Sequence, residues 1–277
     1  MNAGRAVAAA ATPQTSQSLP PSTLPGGLSD YAFFLDIDGT LIRFAKLPGR
    51  AYVDPWLLET LRVLHQEAEG AVALVSGRTL ESIDRLFAPL RFAVAGQHGA
   101  ERRRPDGSTK RHAPPSSRID AARRCVTAWA AGIEGLLVED KGICVAVHYR
   151  QAPERQGEVR EALDRCRIRG GDAYDLQPGK MVFELRPAGV DKGTAIREFM
   201  LEAPFAGRVP LFLGDDATDE HGFAAAITLG GHAVKVGEGA TLADWRVADV
   251  AALRAWLAAI LGRTTPDLGW SSGEAQP

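Results

Sequence analysis

The chain has 277 residues, 45% hydrophobic and 24% charged, which is enough apolar surface for one large core or two modest ones and argues against a disordered or fibrous protein. Its 32 Lys and Arg nearly balance 34 Asp and Glu, and a formal charge of −2 offers no broad positive surface to nucleic acid. Three cysteines, Cys125, Cys144 and Cys166, include no CxxC pair, so neither a zinc cluster nor a disulfide framework is expected and a reducing cytoplasm fits; no apolar run reaches the roughly 18 residues of a membrane span.

Ala6 to Ala11 follow Arg5 but are weakly hydrophobic and run into Pro, Ser and Thr, which does not read as a secretory signal. Thr12 to Gly27 hold too little apolar surface to offset the entropy of ordering, so residues 1–28 are expected to form a disordered arm, and residues 263–277 a disordered tail. Between them, the run Tyr31 to Ile37 predicts a buried strand ending in Asp36, Asp38, Gly39 and Thr40. Asp54 caps a helix with Pro55 at its first position and Trp56, Leu57, Leu61 and Leu64 on one face. Two more apolar runs, Ala71 to Val75 and Phe92 to Ala95, stop at Ser76-Gly77-Arg78 and at Gly96-Gln97-His98-Gly99.

The pattern then changes. Pro105-Asp106-Gly107 marks a hairpin, with Arg102 to Arg104, Lys110 and Arg111 expected on a solvated basic face. A helix from Ile119 to Ile133 leads to strand-like runs on either side of Lys141-Gly142. A second helix, Pro153 to Arg169, leads to strands Ala173 to Leu176 and Met181 to Leu185. Cys125 and Cys166 fall on these helices as thiols. After Pro187 a helix from Asp191, the strand Val209 to Leu213 ending in Gly214-Asp215-Asp216, and a helix from Asp249 to Leu261 resume the first theme. Residues 29–102 and 187–262 thus read as a doubly wound, Rossmann-like parallel α/β domain, interrupted over 103–186 by a smaller α+β domain. His65, His112 and His232 are expected to be solvent-facing or satisfied structural residues.

In open parallel sheets ligands bind beyond the carboxyl ends of the strands, so Asp36 to Thr40, Ser76 to Arg78, Lys192 and Asp215 to Asp219 are expected to converge. Side chains alternate along a strand, so Asp36 and Asp38 face one site. With Asp215 and a phosphate monoester added, the charge becomes prohibitive: unit charges 4 Å apart repel by roughly 4 kcal/mol at an effective dielectric near 20. Mg²⁺, which takes one or two carboxylates plus phosphate oxygens, and Lys192 would supply the missing positive charge. Asp36 can then attack phosphorus to form an aspartyl phosphate, and Asp38 can donate a proton to the leaving alkoxide and later take one from water. The Thr40 and Ser76 hydroxyls, with backbone amides near Gly39 and Gly77, would hold the phosphoryl oxygens.

These clusters, in this order, resemble the haloacid dehalogenase superfamily of phosphotransferases. Finer details are similar to its trehalose-6-phosphate phosphatase family: LDIDGTL, VSGR, AGQHGAE, the HYR of His148 to Arg150, KMVFELRP over Lys180 to Pro187, and LGDDATDE. The resemblance implies Mg²⁺ held by the Asp36 carboxylate, the Asp38 backbone carbonyl and Asp215, with Asp216 and Asp219 orienting Lys192 or metal-bound water. It also implies that the insert is a cap, with Glu139, Lys141 and Glu184 contacting sugar hydroxyls and Arg78 placed with the substrate contacts. The expectation is a monomeric cytoplasmic hydrolase of a disaccharide phosphate, trehalose 6-phosphate, with no nucleic-acid or membrane partner. Sucrose 6-phosphate or glucosyl-glycerate phosphate is the alternative substrate. A phosphoaspartate signalling switch is the alternative outside hydrolysis, and Asp38 argues against it because it favours prompt breakdown of the acyl phosphate.

Overall fold

A computed structural model of the chain describes residues 18–44, 51–112, 116–170 and 173–265. The expectations for 1–17 and 266–277 lie outside these residues.

The larger sheet takes β1 (Tyr31–Leu35), β2 (Val72–Val75), β3 (Ala93–Gly96), β4 (Glu101–Arg103), β5 (Thr109–Arg111), β10 (Val209–Gly214), β11 (His232–Val236) and β12 (Trp245–Val247). Its order is β12-β11-β10-β1-β2-β3-β4-β5, parallel from β12 to β3 and antiparallel for the last two strands. Alternation along β1 sends Phe33 and Leu35 to one face and Ala32 and Phe34 to the other. The first face packs on α1 (Pro55–Glu67), α2 (Leu80–Phe87) and α7 (Val250–Ile260), and the second on α5 (Lys192–Phe199) and α6 (Glu220–Thr228). Strands buried on both faces read as unbroken apolar runs, which is why β1, β2 and β10 are legible in the sequence. The chain leaves β1 toward β2 on one side and returns through β10 on the other, so the order reverses at the β10-β1 seam, where such sheets bind ligands.

The smaller sheet is antiparallel, in the order β6-β7-β9-β8, from β6 (Leu137–Asp140), β7 (Val145–His148), β8 (Tyr174–Gly179) and β9 (Val182–Pro187). Val145, Val147, Phe183 and Leu185 pack against α3 (Ser116–Ala130) and α4 (Gln156–Gly170). The alternate residues of the same strands face the larger domain.

Four expectations change. The Arg102 hairpin belongs to the larger sheet as β4 and β5, so the insert begins after it and not at 103. That hairpin is a solvated basic face only along β5, where Lys110 and Arg111 are exposed; on β4, Arg102 is 1% exposed with its guanidinium on Glu198 and Glu202, and Arg103 makes two bonds to Asp84, so these two side chains tie the sheet edge to α5 and α2. Residues 18–28 are ordered: Leu24 is buried in the core, Arg246 N donates to Ser18 O and Trp256 Nε1 donates to Pro21 O, so apolar and backbone contacts offset the cost of ordering. Cys125 and Cys166 form a disulfide between α3 and α4, with Cα atoms 5.5 Å apart, which removes the cysteine argument for a reducing compartment. No described helix is long and apolar enough to cross a membrane.

Candidate active site

Asp36 follows the last residue of β1 and is buried. Its Oδ2 accepts from Thr40 Oγ1 at 2.8 Å and its Oδ1 from Lys192 Nζ at 2.7 Å. Lys192 opens α5, whose entry is fixed by a reciprocal cap: Thr194 N donates to Asp191 Oδ1, and Asp191 N donates to Thr194 Oγ1. That cap directs the ammonium inward, where it also donates to Asp219 Oδ1 at 2.6 Å. The other oxygen of Asp219 accepts from the backbone N–H groups of Asp215 and Asp216, both at 2.9 Å. Asp219 therefore locks the turn after β10 and aims Lys192 at Asp36. Asp216 bonds Ala217 N within its own turn.

Gly39, at φ +88°, is required twice over: a Cβ there would stand 2.3 Å from Asp215 Oδ2 and 2.4 Å from the Phe44 ring. The Asp38 carboxylate accepts two bonds from Arg78, at 2.6 and 2.7 Å. Ser76 is buried at the end of β2, and its Oγ accepts from Arg78 N.

Oxygen atoms of Asp36, Asp215 and Asp219 lie within 4.8 Å of one another, the one such grouping among the described residues. Burial lifts the Asp36 carboxyl well above the usual range, with Asp219 and Asp215 adding to it and Lys192 opposing it. Burial also works against the Lys192 ammonium, yet Asp219 and Asp36 outweigh it and hold its pKa above the ordinary lysine value. An oxygen-only donor set with excess negative charge suits a hard divalent cation.

The smaller sheet covers this cluster and supplies the far wall of a cavity of about 470 Å³. Its register places Glu139 opposite Ala146, Ala146 opposite Glu184, and Glu184 opposite Gln177, a rung running across all four strands. Leu137, His148, Val182 and Gly179 form the next rung on the same face. Lys141 donates to Glu184 Oε2 at 2.8 Å and to the Gly77 carbonyl at 3.0 Å, joining the cap to the loop after β2. Glu139 bonds the His148 ring, which with Lys141 and Arg78 holds its carboxyl below the usual range. Asp36, Asp38, Ser76, Gly77, Arg78, Glu139, Lys141, Glu184, Lys192, Asp215, Asp216 and Asp219 all line this one cavity, with Thr40 bonded to Asp36 and Gly39 against Asp215.

Residues without an assigned role in the sequence reading also line it. Lys180 reaches from the cap to Asp215 Oδ2 and lies over the Phe44 ring, 4.4 Å from its centroid. Gln177 belongs to the polar rung, and His98 sits between Gly77 and Glu184. Lys180 and His98 stood inside KMVFELRP and AGQHGAE, but a motif does not show which member faces the ligand.

An aspartate at the switch point of a doubly wound sheet, faced by a lysine, an acidic cluster and an inserted cap, defines a phosphohydrolase of the haloacid dehalogenase superfamily. The fold agrees: the chain superposes on a haloacid dehalogenase-like hydrolase from B. subtilis with TM-score 0.54 at 14% identity, over 82% of this chain and 98% of that one. The profile of the Trehalose-phosphatase family matches residues 34–250, and the chain belongs to that family. It is 44% identical to the trehalose-6-phosphate phosphatase of Escherichia coli K12 over 228 residues, 82% of this chain and 85% of that protein. A probable trehalose-phosphate phosphatase of Sinorhizobium fredii is also 44% identical, over 78% of this chain and 81% of its own length. Among solved structures, a trehalose-6-phosphate phosphatase related protein superposes with TM-score 0.70 at 31% identity, covering 83% of this chain and 96% of that chain.

Proposed function

We propose that the chain hydrolyses trehalose 6-phosphate to trehalose and inorganic phosphate through an aspartyl-phosphate intermediate. The observation that carries the reading is the meeting of Asp36, Lys192 and Asp215 at the β10-β1 seam, directly beneath the polar rung of the cap. Family membership supports the substrate.

The Asp36 and Asp215 carboxylates, with the Asp38 carbonyl, would hold Mg²⁺, which when bound draws charge from the phosphoryl oxygens. Lys192 and Thr40 fix the two Asp36 oxygens, so the carboxylate meets phosphorus without searching rotamers. A new Asp36 O–P bond forms as the sugar O–P bond breaks, and Asp38 delivers a proton to the departing sugar oxygen. In the second step Asp38, now a carboxylate, takes a proton from water as that water displaces Asp36 from phosphorus. The Ser76 hydroxyl and the amides around Gly39 and Gly77 hold the phosphoryl oxygens through both steps. Glu139, Lys141 and Glu184 offer two acceptors and a donor to sugar hydroxyls.

Phosphate release from trehalose 6-phosphate, sucrose 6-phosphate and glucosyl-glycerate phosphate tests the reading. Trehalose 6-phosphate is expected to be turned over with the highest kcat/KM, with activity lost on chelation and restored by Mg²⁺. Equal turnover of all three esters, or full activity in chelator, would overturn it.

A further inference from the structure

His98 occupies a position that the fold maintains against its own preferences. Gln97 and His98 both take left-handed backbone conformations, φ 48° and 57°, which costs a non-glycine residue on the order of 1–3 kcal/mol. Three bonds hold the turn: His98 N donates to Ser76 O at 2.9 Å, Gln97 N donates to Arg78 O at 2.8 Å, and Cys144 N of the cap donates to Gln97 Oε1 at 3.1 Å. The turn packs the imidazole against the loop after β2, so close that a Cβ on Gly77 would stand 2.5 Å from Nε2.

The surroundings set the tautomer. Nδ1 is buried without a partner, and a proton there would be an unmatched donor, the rarer and costlier kind of orphan. Nε2 faces the cavity and lies 3.9 Å from Glu184 Oε2, so the ring proton belongs on Nε2. That spacing is too long for a direct bond, yet it is about what one oxygen spans when it lies roughly 2.8 Å from each group. Glu184 Oε1 is also buried without a partner, so the acceptor side of the pair has capacity to spare.

We propose that His98 is a specificity-determining residue: its Nε2–H donates to a sugar hydroxyl oxygen whose own proton is donated to Glu184. The proposal rests on the sugar-phosphate reading above and names a contact on the catalytic domain that complements those on the cap. One hydroxyl then ties the two domains together, so a ligand lacking it leaves the His98 Nε2–H unmatched and Glu184 with Lys141 alone.

His98→Asn and His98→Gln test this. Asn tolerates the left-handed backbone, but its amide ends near the place of Nδ1, whereas a Gln amide reaches as far as Nε2. The readout is the ratio of kcat/KM for trehalose 6-phosphate to that for p-nitrophenyl phosphate, which carries no hydroxyls. His98→Asn is expected to lower the ratio at least tenfold, and His98→Gln to recover part of the loss. An unchanged ratio in His98→Asn, or equal losses in the two variants, would overturn the proposal. If the wild type prefers another sugar phosphate, the substrate reading alone fails, and the same ratio measured with that ester still decides the role of His98.

Discussion

Arg78 closes a two-pronged ion pair on Asp38, with Nε on one carboxylate oxygen and a terminal nitrogen on the other. The fork fixes the plane of the carboxylate in the cavity wall and suits the form that takes a proton from water in the second step, while delivery of a proton in the first step requires one prong to open. Arg78→Ala is expected to lower kcat by roughly 10- to 100-fold, less than the roughly 10²- to 10⁴-fold of a positioned acid–base group because Asp38 itself remains. Arg78→Lys should recover little of this, because a point-charge ammonium cannot make two coplanar bonds. Steady-state kinetics check it; full recovery in the lysine variant would show that charge alone matters.

Asp36→Asn keeps the shape of the site and removes the nucleophile. Lys192 retains Asp219 as a partner, so folding is expected to survive while turnover falls by at least ~10³-fold. Thermal melts alongside phosphate-release assays separate the two effects, and retained turnover would contradict covalent catalysis by Asp36.

Lys141→Ala is expected to raise KM for the disaccharide ester more than for p-nitrophenyl phosphate. It should also cost stability, on the order of 3–5 kcal/mol, because the buried Glu184 carboxylate loses its cation. Lys141→Ala with Glu184→Gln should recover stability without recovering KM. Denaturant melts and two-substrate kinetics on both variants measure this.

The Cys125–Cys166 bond closes a loop with a sequence separation of 41 in the cap. Chain-entropy reasoning assigns such a cross-link about 4 kcal/mol at most. The oxidised protein, unfolded in denaturant, should show one reactive thiol, Cys144, and the reduced protein three. The reduced form should melt at lower temperature, and three thiols without reductant would mean that the bond does not form.

His98 carries a pH signature. Burial, followed by the Lys192, Lys141 and Arg186 charges and His221, lowers its pKa well below the ordinary value, although the Glu184 carboxylate lies near Nε2. The unfolded chain therefore binds the extra proton first, and stability, complete above about pH 6.5, declines as pH falls below it, by at most ~1.4 kcal/mol per pH unit. His98→Asn should flatten this part of the stability curve between pH 7.5 and 5.5. A parallel decline in wild type and variant would assign the slope to other groups.

The strand ends carrying Asp36, Ser76 and Asp215 were legible because each is a local event, an apolar run broken by turn chemistry. The partners of Arg102 were not: Glu202 lies 100 positions away, and a basic hairpin looks the same in sequence whether it meets water or acid. The disulfide was hidden for a similar reason, since helix faces, and not spacing, bring Cys125 to Cys166. The rung of Glu139, Glu184 and Gln177 depends on strand register, which no single strand encodes.

The cap sheet has a division of labour that bears on how enzymes of this design diversify. Residues 145, 147, 183 and 185 are committed to its helices, while positions 148, 182 and 184 on the same strands line the cavity. Exchanging a ligand-facing side chain outside the Lys141–Glu184 pair, such as Gln177 or Leu137, leaves the packing of its own strand untouched, and the bond-breaking groups stay on a separate sheet. A lineage can therefore retune which alcohol it recognises at these positions one residue at a time, whereas the Lys141–Glu184 pair has to change together.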